Sequence, residues 1–217
     1  MKPILIFGGG GTALNVIDLL LNEQKIFYPV GYIDIKRGPK ILNIPYLGNY
    51  NTFLKLKKKY KNLHAFPAIG FNNKNESQLR KKIFLLLKKK RFVIPSLISN
   101  KAIIRSKVKI SEGVLIQAGS VIDTGCSIEK NTHIGFNNVI GHRVKISSHC
   151  NITGSVNIAG DLKIDEGAFL GMNSTINKPV GKWSRVSAGT TCLEKIPNHT
   201  LVYNSRPQKL KISRLIK

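Results

Sequence analysis

Acidic side chains are scarce: 11 Asp and Glu stand against 35 Lys and Arg, a formal charge of +24 over 217 residues. Such an excess raises the question of a nucleic acid or an anionic membrane, because clustered lysines release counterions from polyanions. The basic runs at 55–61, 88–91 and 209–217 fall on helical stretches or the tail, with no interleaved aromatics and no DNA-reading motif. They read as solvated lysine faces, and no nucleic acid is expected. Cysteine is sparse too. Cys126, Cys150 and Cys192 make an odd count without C-x-x-C spacing, which argues against a disulfide framework or a zinc site; no metal is expected, and buried fillers are. No apolar run approaches the roughly 18 residues of a spanning helix. Met1-Lys2-Pro3 leads straight into a strand rather than a secretion signal. The expectation is a cytoplasmic protein with no transmembrane segment.

What is present divides into two grammars. Residues 1–96 alternate short apolar strands with helical stretches, the pattern of an α/β unit with a parallel sheet, Rossmann-like. Strands are expected at 4–7, 30–34 and 65–70, and helices at 13–22, 50–59 and 77–90. In the first helix Leu14, Ile17, Leu20 and Leu21 are apolar. The turn Gly8-Gly9-Gly10-Gly11 between the first strand and helix has two readings: a phosphate cradle of backbone N–H groups, or merely a tight βα turn.

From Ala102 the chain changes to a period of six. Thirteen hexads run without a gap to Pro179, from AIIRSK to STINKP. Every third position, from Ile104 through Ile122, Ile140 and Ile158 to Ile176, is Ile, or Leu at Leu170. With about half of positions apolar in an average protein, chance gives such a run on the order of once in ten thousand. A β-branched residue every six positions suits short strands stacked around a narrow filled interior, and three faces of six make a coil of 18. Residues 18 apart therefore stack. Arg143 and Asp161 are such a pair, and their pairing would turn the guanidinium from the preceding His142. Domains of 1–96 and 97–217 follow.

These hexads, with FGGGGTALNVIDLL at 7–20, GYID at 31–34, IPYLG at 44–48, AIGFN at 68–72 and VSAGTTCLEKIPNHTLVYNSRP at 186–207, resemble the sialic-acid and bacillosamine-type sugar O- and N-acetyltransferases. The resemblance implies a left-handed parallel β-helix behind a nucleotide-sugar-binding domain. It also implies a homotrimer, with acetyl-CoA as cosubstrate in a cleft between neighbouring β-helices. It assigns Gly9, Gly10, Gly11, Thr12, Asp34 and Ile35 to a nucleotide-linked amino sugar. It points to Asn151, Gly160, Met172, Ala188 and Gly189 for acetyl-CoA, Met172 being equally open as a core or interface filler.

His142, in the hexad NVIGHR, falls where that family has its histidine, and is the expected general base; a corner histidine facing solvent is the plainer alternative. His133 and His149 are expected at solvent or corner positions, His64 in a loop and His199 in the tail. The chain departs from the family at three places. Thr12 stands where a histidine is usual after the glycines. Arg143 stands where an acidic residue commonly follows the base, and Asn151 where a second histidine often lies. The function expected is acetyl-CoA-dependent N-acetylation of a nucleotide-linked amino sugar. The rivals are sugar O-acetylation, as of sialic acid, and a non-catalytic β-helix scaffold that binds a sugar nucleotide.

Overall fold

A computed structural model describes residues 1–70 and 74–204. The last two residues of the motif at 68–72 and the end of that at 186–207 lie outside the described residues. In the first domain β1 (Lys2–Phe7) is followed by α1 (Gly11–Asn22), β2 (Phe27–Ile33), α2 (Phe53–Lys59), β3 (His64–Pro67) and α3 (Lys74–Lys89). The three strands form a parallel sheet in the order β2-β1-β3, with Ile4, Leu5, Ile6 and Phe7 of the central strand fully buried. A strand buried on both faces needs a continuous apolar run, which is what residues 4–7 are. On α1 the inward stripe is Ala13, Val16, Ile17 and Leu20; Leu14 and Leu21, expected with the core, are about half exposed because that stripe is set by the helical repeat around the other two.

The second domain is a left-handed parallel β-helix of two-residue strands on three faces. The first face runs through Leu97, Leu115, His133, Asn151, Phe169, Arg185 and Leu201. The second runs through Ile103, Val121, Val139, Asn157, Thr175 and Thr191, and the third through Lys109, Ser127, Lys145 and Lys163. Those side chains point outward, and the isoleucines that follow them fill the interior. From Ile116 to Ile176 these inward residues are at most 3% exposed, each worth roughly 1.5–3 kcal/mol of burial. Cys126, Cys150 and Cys192 are free thiols buried within the same stack.

The corners follow one backbone rule. Every sixth residue, from Lys107 and Gly113 through Asn131, Arg143, His149 and Asp161 to Asn173, has positive φ. The next position in that series is Pro179, whose ring fixes φ near −65°. The corner is remade there: inward residues are four apart at Ile176 to Val180 and again at Cys192 to Ile196, so the last coils take 16 residues.

The first domain packs on the first face, and the helix α3 seals the corner beside it. Arg80, Ile83, Phe84 and Leu87 form one stripe of α3, all buried. The Arg80 guanidinium is fully buried and donates to the Asn151 side-chain oxygen and to the carbonyls of His149 (3.0 Å) and Cys150 (3.2 Å). Burial pulls its pKa down to about 9. Lys81 pairs with Glu166 at 2.5 Å, and Glu23 at the end of α1 accepts from Ser99 Oγ at 2.6 Å.

His133 and His149 are buried, not in solvent. His133 lies on a strand of the covered face, stacked on Phe66. His149 does occupy a corner, at φ +65°, but α3 covers it through Phe84. Burial, then Lys81 and Arg80, hold the His149 pKa down to about 4; burial and then Arg80 hold His133 well below the ordinary value. The unfolded chain takes up these protons as pH falls through about 6.5, whereas the folded chain refuses them until far lower. Protons thus favour unfolding. The melting temperature is expected to fall between pH 6.5 and 4, with His149 alone contributing on the order of 3 kcal/mol. Thermal melts at pH 7 and 5 check this; His149→Asn, which suits a left-handed corner, should flatten the difference.

Candidate active site

Two recesses and one corner hold the residues singled out from the sequence. The first recess lies beyond the carboxyl ends of β1 and β3, where the strand order reverses and open α/β sheets bind ligands. Its volume is about 350 Å³, and it is bordered by Gly8 to Thr12, Asp34, Tyr50 and Glu76. The four glycines have different causes. Gly8 has φ +118°, and a Cβ there would lie 2.5 Å from the Ala68 carbonyl oxygen. A Cβ on Gly9 would meet the Tyr32 ring at 2.8 Å, while its N–H donates to Asp34 Oδ2 at 2.7 Å. Gly10 and Gly11 have no neighbour within 4 Å of where a Cβ would stand, and neither has positive φ. Among the described residues nothing requires glycine at those two positions, and both border the recess. Gly10 caps α1 without any side-chain partner, which leaves the helix N-terminal N–H groups pointing at the same space. Asp34 closes the turn by accepting from Gly9 and from Ile35 N–H (2.6 Å), and Ile35 is 64% exposed at the rim.

The second recess, about 670 Å³, lies between α1 and the first face of the β-helix. Thr12 borders both recesses. Its walls include Asn15, His133, Phe136, Met172, Arg185 and Ala188, with the Arg185 guanidinium 3.8 Å over the Phe169 ring. Among the described residues that line it none is a carboxylate.

The corner is that of His142, at the opposite edge of the second face. The imidazole lies across Gly160 of the next coil, where a Cβ would stand 2.4 Å from Cε1. Its Nδ1 is 3.4 Å from Asp161 Oδ2. Arg143 grips the same carboxylate with two hydrogen bonds, Nε to Oδ1 at 2.6 Å and a terminal nitrogen to Oδ2 at 2.7 Å, the pairing that 18-residue stacking implies. That grip holds Asp161 below the usual carboxylate range.

The residues assigned to acetyl-CoA therefore divide. Met172 and Ala188 line the second recess, and Gly189 follows at φ +67° with open space around it. Gly160 lies under His142. Asn151 is fully buried, its side-chain oxygen taken by Arg80. Neither Arg80 nor His133 is singled out from the sequence as a site residue; the signals are the place of Arg80 in the i, i+3, i+4, i+7 stripe of α3 and the stacking of His133 one coil before Asn151. Arg185 lies where the coil has shortened, so a count of 18 does not find it.

Residues 3–85 match the PglD N-terminal domain family. Among curated protein sequences none matches the chain. The solved structure of PerB from Caulobacter crescentus, in complex with CoA and GDP-perosamine, is 26% identical, with a TM-score of 0.83 and 93% of each chain covered. The same perosamine N-acetyltransferase was solved with one histidine replaced by asparagine, again with CoA and GDP-perosamine, at 25% identity, a TM-score of 0.83 and 93% of each chain covered. The acetyltransferase domain of PglB from Neisseria gonorrhoeae FA1090 shares the fold at 18% identity, with a TM-score of 0.80 over 93% of this chain and 96% of that one. With a PglD-type first domain set on a hexapeptide-repeat β-helix, the chain is similar along nearly its whole length to hexapeptide-repeat sugar acetyltransferases.

Proposed function

We propose that the protein transfers the acetyl group of acetyl-CoA to the amine of a nucleotide-linked amino sugar. The observation that carries this is the alignment of both domains, over 93% of each chain, with an N-acetyltransferase bound to CoA and a GDP-amino sugar. The local geometry agrees. The glycine turn and the α1 N-terminus offer N–H groups to a diphosphate, and the second recess, which shares Thr12 with the first, lies along the β-helix. The amine nitrogen attacks the thioester carbonyl carbon, forming C–N as C–S breaks. His142 Nε2 takes the proton the nitrogen sheds and returns it to the departing thiolate, giving the amide and free CoA.

The site is completed by a second copy. The second recess opens at one edge of the second face and His142 stands at the other edge, so one chain cannot bring them together. The second face carries no lysine at its outward positions and exposes Ile103 (56%) and Val139 (49%), whereas the third presents Lys109, Lys145 and Lys163. Three copies turned with their second faces toward a common axis would bury that apolar stripe. Each His142 edge would then meet the recess edge of the next copy, a closed head-to-tail ring.

The test combines product and binding. Incubation with acetyl-CoA and GDP-, UDP- or dTDP-linked amino sugars should give a product 42 mass units heavier that survives hydroxylamine, as amides do and esters do not (the increment is roughly that of one acetyl replacing one hydrogen). The accepted sugar nucleotide should raise the melting temperature of the wild type and not that of Gly10→Val, whose side chain would fill the recess. A hydroxylamine-labile product, or no product from any amino sugar, overturns the assignment.

A further inference from the structure

We infer that Asp161 is the positioning residue for His142, and that Arg143 serves as the clamp that holds Asp161 in place. The inference rests on the reading of His142 as the base. The residue directly after His142 is a cation, so the orienting carboxylate cannot come from the adjacent position. The fold supplies one from the next coil. Arg143 and Asp161 both sit at left-handed corner positions, φ +55° and +62°, stacked one above the other. That stacking brings Asp161 beside the ring, with Oδ2 3.4 Å from Nδ1. The carboxylate is anchored by the two-point grip of Arg143, the geometry in which guanidinium and carboxylate are most directional. The floor is Gly160, the only residue type that leaves the ring room to lie across the coil.

The consequence is tautomeric. A carboxylate at Nδ1 favours the proton on that nitrogen, which leaves the lone pair on Nε2 to receive the proton of the acceptor. When Nε2 takes the proton of the amine, the imidazolium is stabilised by the same carboxylate. Arg143 keeps Asp161 ionised and still. The groups that face His142 are thus Asp161 and, through it, Arg143; both are more than half exposed, with side-chain exposures of 55% and 64%, so replacing either should not unfold the chain.

The test is a set of exchanges read by steady-state kinetics with acetyl-CoA and the accepted amino sugar. Asp161→Asn should lower kcat roughly 10- to 100-fold while Michaelis constants stay within about threefold, the pattern of an interaction made in the transition state. Arg143→Met should lower kcat less, because Asp161 remains but is no longer held. The decisive variant is the double exchange Arg143→Glu with Asp161→Asn, which moves the carboxylate to the neighbouring position and should recover much of what Asp161→Asn alone loses. A merely structural ion pair predicts further loss instead. In ¹⁵N-labelled protein the neutral His142 ring should carry its proton on Nδ1 in the wild type and lose that preference in Asp161→Asn. If His142→Ala is severely impaired while Asp161→Asn stays within threefold of wild type, the positioning role is refuted and the base survives. If His142→Ala is itself active, the reading of the base fails first.

Discussion

Replacing His142 by alanine is expected to lower kcat roughly 10²- to 10⁴-fold, the usual contribution of a positioned base, and to leave both Michaelis constants within about threefold. The ring reaches the site from an exposed corner, 49% exposed, and it fills no recess that would hold substrate in the ground state. Its loss removes an acceptor for the proton that the nitrogen must shed and little else. The fold should be untouched, since the corner backbone is set by the left-handed Arg143 and by hydrogen bonds such as that from Asp161 N–H to the His142 carbonyl (2.8 Å). Steady-state kinetics over a range of pH, with thermal melting as the control for folding, measures it. A variant within about threefold of wild type cannot have lost a base of that worth.

The second large effect concerns assembly. On the proposed threefold contact, Val139→Lys is expected to give monomers with unchanged circular dichroism, and to lower acetyl transfer by roughly 100-fold or more, because such a contact brings three copies of any new charge together. Val139 lies in the middle of the exposed stripe of the second face, between Val121 and Asn157, and its side chain has no part in the interior. Light scattering decides the state. Co-expression of two inactive variants, His142→Ala and Ala188→Trp, gives an independent measurement. If each site takes one edge from each of two copies, every mixed trimer regains one site with two intact edges, about a quarter of all sites at equal expression. A monomeric wild type with full activity, or mixed assemblies with no recovered turnover, would remove the shared site.

Much of the fold was legible in the sequence because the solenoid is nearly one-dimensional. Period six sets the strands, and eighteen-residue stacking places Arg143 against Asp161. The first domain was legible in element type but less so in phase: Leu14 and Leu21 are apolar yet half exposed. The site was legible in part. Gly9 to Thr12 and Asp34 gather at one recess, but Asn151 is covered by Arg80 of α3, and His133 is buried. Neither outcome is a property of the repeat. Both follow from which of three equivalent faces the first domain covers, and that choice is a long-range packing decision. The departure at Arg143 had a remedy that adjacency in sequence conceals, since in a coil the nearest neighbour of a corner residue is the one a full turn away.

The shortened corner after Pro179 bears on polymerisation. A β-helix whose coils were all alike would present the same triangle of strand edges at its top and its bottom, and two molecules could continue one another end to end as a fibre. Here the first coils are triangles of six, six and six residues, and the last are triangles of six, six and four. A strand edge near Leu201 can meet one near Leu97 in register on two faces only; on the third the backbone is two residues out of step. The cut corner acts as a mismatched joint that discourages growth along the axis and leaves the proposed side-by-side contact through the second face unaffected.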